Sequence, residues 1–115
     1  MSRHDDKVRL RHILDAANRA LSLTAGKTSA QFEADEIGQL ALARLLEIVG
    51  EAAGKVSPAF QMAHPEVPWT EMGGLRNRLA HAYFDIDLDV LLDIVAKDLP
   101  PLIRQLEGLL PDVPR

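Results

Sequence analysis

Cysteine is absent from the 115-residue chain, which excludes a disulfide framework and any thiolate metal site and sets the expectation of a cytoplasmic protein. Long apolar runs are missing too. None approaches the ~18–20 uninterrupted residues of a membrane-spanning helix, so no membrane association is expected. The opening "MSRHDDKVRLRH" lacks the apolar stretch of a secretory signal. Positive charge is in short supply, with a formal net charge of −4. A protein with that balance does not coat nucleic acid through bulk electrostatics, so an anionic partner has to be met by a local basic patch. Also missing are a carboxylate cluster and a histidine pair at metal-ligand spacing. No metal or other cofactor is therefore expected.

What the chain does have is the balance of a soluble globular protein, 47 % hydrophobic and 26 % charged. Its length suits one modest core, and no linker or repeat divides it, so residues 1–115 are expected to form a single domain. The apolar spacing reads as helices throughout, without a convincing strand. Leu10, Ile13, Leu14, Ala17 and Leu21 recur at three- and four-residue steps, predicting a first helix over about 4–23 that stops at Gly26. Thr28 and Gln31 form a capping box that opens a second helix, predicted over about 30–56. Its centre, "LALARLLEIVG", is apolar almost all round, as befits a helix central to a bundle or facing a partner. Arg44, Glu47 and Glu51 read as a salt-bridged surface strip. Residues 57–69, with three prolines, are predicted to be mostly loop.

Thr70 is the predicted N-cap of a third helix ending near Phe84, with Glu71 suited to its positive end. A fourth, capped by Asp87, is predicted over about 88–110, with Leu88, Leu91, Val95, Leu99, Leu102, Leu106 and Leu109 as its stripe. Pro100 and Pro101 should kink or restart it. Residues 111–115 are expected to be a loose tail. The fold class is thus all-α, an up-down helical bundle.

The third helix holds the chemistry. In "RNRLAHAY" (76–83), Arg76, Asn77, Arg78, His81 and Tyr83 crowd a little over two turns. Met72, Leu75, Leu79 and Ala82 form the core-facing stripe, Arg76 and Tyr83 share one flank, and Asn77 and His81 lie on the far side. Arg76 and His81 are about 140° apart around the axis. They converge only if something closes over the helix or two copies meet. A two-fold contact between third helices would bring Arg76 of one chain near His81 of the other.

These residue types suit phosphodiester cleavage in RNA. An arginine offers a planar fork of donors for phosphate oxygens and for charge developing there. A histidine can take a proton from a 2′-hydroxyl or give one to the leaving oxygen near neutral pH. Tyr83 can hydrogen-bond a phosphate or stack on a base. Spacing alone leaves the bland alternative standing, with solvated arginines, a surface histidine and a tyrosine flanking the core.

Beyond spacing, Arg76, His81 and Tyr83 match the R-x4-H-x-Y signature of the HEPN superfamily, with Asn77 as the polar residue after the arginine. "LLEIVGEAAGKVS" (45–57), "VPWTEMGGLRNRLAHAYFDID" (67–87) and "LPPLIRQLEGLL" (99–110) together resemble its HepT-like branch. That resemblance implies a four- to five-helix HEPN bundle, dimerising through the motif-bearing helices with the motif at the dimer cleft. It implies the toxin of a type VII HEPN/MNT toxin–antitoxin system, a metal-independent endoribonuclease with Arg76 and His81 catalytic. Asn77, Arg78 and Tyr83 would bind substrate phosphate. The implied partners are a second copy, an RNA substrate and an MNT-type nucleotidyltransferase antitoxin, which would neutralise the toxin by AMP transfer onto Tyr83. Bulky nucleotides with their phosphate charge would then block the cleft and occupy its arginines.

Two other functions compete. One is a non-catalytic HEPN scaffold that partners, and is modified by, the nucleotidyltransferase. The other is a substrate-binding subunit for a small-molecule nucleotidyltransferase, which needs an apolar pocket beside the motif. Trp69 reads as a packing anchor, and His4, His12 and His64 read as surface residues. Gly73 and Gly74 suggest either close approach of another backbone or a frayed first turn. Arg3, Lys7, Arg9 and Arg11 offer a second basic patch or a solvated helix face. Glu51 is expected near the cleft, without a catalytic role.

Overall fold

The computed structural model describes residues 3–80 and 88–110, with side chains over 5–75 and 88–110. Every regular element among them is helical, as the sequence predicts. Helix α1 (Arg3–Thr24) begins with Asp5 and Asp6 at its positive end. It stops before Gly26, whose φ of +73° is a left-handed turn that a side chain would oppose.

The predicted capping box is present: Thr28 Oγ1 accepts from Gln31 N at 3.1 Å, and Gln31 Oε1 accepts from Thr28 N at 2.8 Å. It opens only the short α2 (Ser29–Glu33), not one helix over 30–56. The chain breaks at Ala34 and Asp35, and α3 (Glu36–Gly54) starts afresh. The cause is Asp35, whose carboxylate accepts from Gly38 N at 2.9 Å and so caps the new helix rather than extending the old one. Gln39 completes the corner, its Nε2 donating to Phe32 O at 2.9 Å and Glu33 O at 2.8 Å. A Cβ at position 38 would press on the Asp35 carboxylate, so a side chain there would push that cap aside.

The stretch expected to be mostly loop contains a further helix, α4 (Pro58–Ala63). Ser57 caps it, and Pro58 sits at N1, where a missing N–H costs nothing. Helix α5 (Trp69–Ala80) begins one residue before Thr70, the predicted cap; Pro68 O accepts from Met72 N at 3.0 Å. Its predicted end near Phe84 and the Asp87 cap lie outside the described residues, as does the tail 111–115. The last helix runs as α6 (Leu88–Asp93), a π-helical turn (Ile94–Asp98) and α7 (Leu99–Leu109).

The predicted restart at the two prolines is therefore observed, and its chemistry can be followed atom by atom. In an α-helix the N–H groups of residues 100 and 101 would serve the carbonyls of 96 and 97. Both are proline and have none. Leu99 N instead reaches back to Ile94 O, widening the turn.

Helix α3 packs between α1 and α5, and α7 closes against α1. Leu10, Ile13, Ala17, Leu42, Leu46, Val49, Leu91, Leu99 and Leu106 are fully buried between them. The exposed strip of α3 carries the expected ion pairs, Arg44 to Glu47 at 3.5 Å and to Glu51 at 3.3 Å.

Candidate functional site

The motif helix is positioned by how it begins. Ser57 N and Oγ donate to the two carboxylate oxygens of Asp6, at 2.8 and 2.7 Å, and Ser57 Oγ accepts from Phe60 N at 3.2 Å. Asp6, 4 % exposed, thus ties the start of α1 to the cap of α4. Next, Trp69 packs edge-on against Phe60, with centroids 6.2 Å apart, and its Nε1 donates to His64 O at 2.9 Å. Trp69 is the anchor that the sequence suggested. His64 is more engaged than a surface residue: half-buried, stacked on Phe60 at 4.5 Å, with Nδ1 3.4 Å from Glu66 Oε1. Gln105 Nε2 donates to Glu66 O at 2.9 Å, holding the same loop to α7.

From that anchored start α5 runs with Met72 and Leu75 buried at 3 % and 5 %, as predicted. Helical backbone continues through Arg76, Asn77 and Arg78 to Ala80. Helical register puts the Cα of Arg76 about 40° from that of Met72, at the edge of the buried stripe. The side chains of Arg76, Asn77 and Arg78 lie outside the described residues, as do all of His81 and Tyr83. Gly73 and Gly74 sit within the regular helix, and a Cβ added at either would meet nothing within 4 Å. Neither a frayed turn nor a close approach within the described chain accounts for them.

Of the proposed second basic patch, Lys7 and Arg11 share one line of α1, whereas Arg9 lies across the helix, half-buried. Its Nε is enclosed without a hydrogen-bond partner among the described residues. Lys7, Arg9 and Arg11 are therefore not one exposed basic face. Glu51 serves Arg44 on the outside of α3. Among the described residues no three His, Asp or Glu side chains gather as metal ligands, and no helix is long and apolar enough to cross a membrane.

Two features escaped sequence reasoning. Asp6 and Ser57 are 51 residues apart, and although "SP" announces a helix start, nothing local names the carboxylate that seals it. The second is a groove of about 400 Å³ between the start of α5 and the wall formed by the π turn and α7. Met72, Leu75, Ile94, Leu99 and Leu102 line its floor. The floor residue Leu75 immediately precedes Arg76 in the chain.

The described chain is an all-α bundle, and α5, whose start is held by Trp69, carries the first part of the segment that the sequence singles out. Comparison makes the class specific. The family model described as "Ribonuclease HepT-like" matches residues 13–109. A protein of Methanocaldococcus jannaschii named as a candidate RNase is 39 % identical over 107 residues, covering 93 % of this chain and 98 % of its own. A protein of Thermococcus cleftensis named a probable ribonuclease HepT is 44 % identical over 78 residues, 68 % of this chain and 71 % of its own. A second M. jannaschii protein named as a candidate RNase is 33 % identical over 113 residues, 98 % of this chain and 93 % of its own. No solved structure matches. The chain belongs to the HepT-like ribonuclease family of the HEPN superfamily.

Proposed function

We propose that this protein is a metal-independent endoribonuclease, the toxin of a two-gene toxin–antitoxin system, acting as a homodimer of single-domain chains. The observation that carries the reading is the signature "RNRLAHAY", which falls inside the matched span 13–109. In this reading the Arg76 guanidinium neutralises charge on the phosphate as the 2′-oxygen attacks phosphorus and the 5′-oxygen leaves. His81 removes the proton from the 2′-hydroxyl or supplies one to the leaving oxygen. Asn77, Arg78 and Tyr83 hold the phosphate and the neighbouring base. Because helical spacing would set Arg76 and His81 about 140° apart, the reading has a second chain complete each site.

Control would come from an MNT-type nucleotidyltransferase that transfers AMP from ATP to the Tyr83 hydroxyl and releases pyrophosphate. Each AMP adds a phosphate charge and a nucleoside's bulk where substrate phosphate would lie. The test is cleavage of total cellular RNA in EDTA by purified protein whose intact mass shows no added nucleotide, alongside His81→Ala. Cleavage by the wild type and none by a folded variant is expected. No cleavage by either would transfer the protein to the scaffold reading, in which Arg76 and Tyr83 hold a partner or its nucleotide.

A further inference from the structure

The groove beside α5 takes no part in the chemistry proposed for Arg76 and His81. Its apolar floor is rimmed by Glu66, Glu71 and Asp98, all exposed, while the one rim cation among the described residues, Lys97, has its Nζ 3.6 Å from Asp93 Oδ1. We propose that this groove is a docking site for a segment of a protein partner that presents an apolar side chain flanked by lysine or arginine.

Charge decides the sign of the flanks. Among the described residues three carboxylates, one of them (Glu66) also beside His64 Nδ1, face one ammonium that already has its own counter-ion, so an acidic segment is repelled and a basic one attracted. The floor decides the centre. Five apolar side chains beneath about 400 Å³ of space suit an aliphatic or aromatic anchor. The wall is also built rather than incidental. The π turn Ile94–Asp98 contributes Ile94, Lys97 and Asp98 to the groove, and prolines at 100 and 101 prevent that turn from tightening into α-helix. Such turns are frequent at functional sites. An occupant would rest on Met72 and Leu75, on the helix that carries the motif, and so bias the position of Arg76 without entering the cleft.

The test is a ¹⁵N–¹H NMR titration of the full chain with two twelve-residue peptides. One has leucines flanked by lysine–arginine pairs; the other replaces every basic residue by glutamate. The basic peptide is expected to shift amides around Glu66–Met72 and Lys97–Leu102. Glu66→Lys with Asp98→Lys should weaken it at least ~10-fold, and the acidic peptide should leave the spectrum unchanged. Should the double variant fail to fold, Asp98→Lys alone serves. Absence of shifts with the basic peptide, shifts elsewhere, or equal binding of the acidic peptide overturns the proposal. So does sedimentation showing that the charge reversals turn a dimer into a monomer, because the groove would then be a contact between copies. RNA cleavage plays no part in these readouts, so this proposal and the ribonuclease reading stand or fall separately.

Discussion

The two flanks of α5 are held in opposite ways. On the side where the helix begins, the link from Asp6 to Ser57 to Phe60 N and the contact of Trp69 with Phe60 and His64 O fix it to α1 and α4. On the other side α5 faces α7 across a groove, bridged by Gln105 to Glu66 O. One flank is specified by buried polar bonds and the other is left with space and a widened turn. The contrast teaches where stability and function part company in a small domain. The anchored flank sets where the motif helix starts, and the open flank leaves a groove that such bonds do not fill.

The largest effect expected is on the chemistry that this support serves. His81→Ala should lower RNA cleavage by about 10²–10⁴-fold, the usual contribution of a general acid or base. It should do so with little change in thermal unfolding, because helical spacing carried on from α5 would set position 81 away from the Met72–Leu75 stripe. A variant that unfolds instead would place His81 in the core and remove it from the chemistry.

Asp6→Ala tests the anchored flank. It leaves Ser57 N and Oγ without their acceptor in a buried setting, at a cost of about 2–3 kcal/mol. A fall in Tm on the order of 10 °C is expected. Asp35→Ala, which removes only a helix cap, should cost less, about 1 kcal/mol. If Asp6→Ala proves no worse than Asp35→Ala, the two flanks do not differ as described.

Legibility in the sequence follows the range of the interactions. The apolar stripes, the stop at Gly26, the capping box at Thr28 and Gln31, and the restart at Pro100 and Pro101 are local chemistry, and each could be read directly. The break at Asp35 was equally local but was outweighed by the apolar run after it; an aspartate three residues before Gly38 was the signal to weigh. Helix α4 lies within the proline-rich stretch because Pro58 after Ser57 starts a helix rather than breaking one. The Asp6–Ser57 link and the groove arise from packing between distant segments, for which a single sequence has no local pattern. For the candidate site, the residue types and their spacing are legible, whereas convergence of Arg76 and His81 would depend on a second surface that one helix does not encode.

Trp69→Phe is a finer probe of the anchor. It keeps most of the ring against Phe60 and deletes the Nε1 bond to His64 O, with a loss of about 1 kcal/mol in urea unfolding followed by circular dichroism. As the chain has one tryptophan, fluorescence of the wild type reports this corner alone. Its unfolding should coincide with the loss of helix if the anchored flank and the bundle are one cooperative unit. A fluorescence transition at lower urea would show the corner opening first and would weaken the contrast between the flanks.

The smallest effect should come from Arg44→Ala. The arginine touches two carboxylates, but its side chain is 59 % exposed and those of Glu47 and Glu51 are 39 % and 37 % exposed. Solvent screens such pairs, and fixing the long side chains costs entropy, so the change should be within about 0.5 kcal/mol in the monomeric chain. That small number gives the measurement its use. If Arg44→Ala, matched in salt and protein concentration, lowers stability by several times that amount, the strip is not solvated in the working protein. The exposed Ile37 and Leu40, at 80 % and 55 % on the same helix, would then mark a surface that another chain covers.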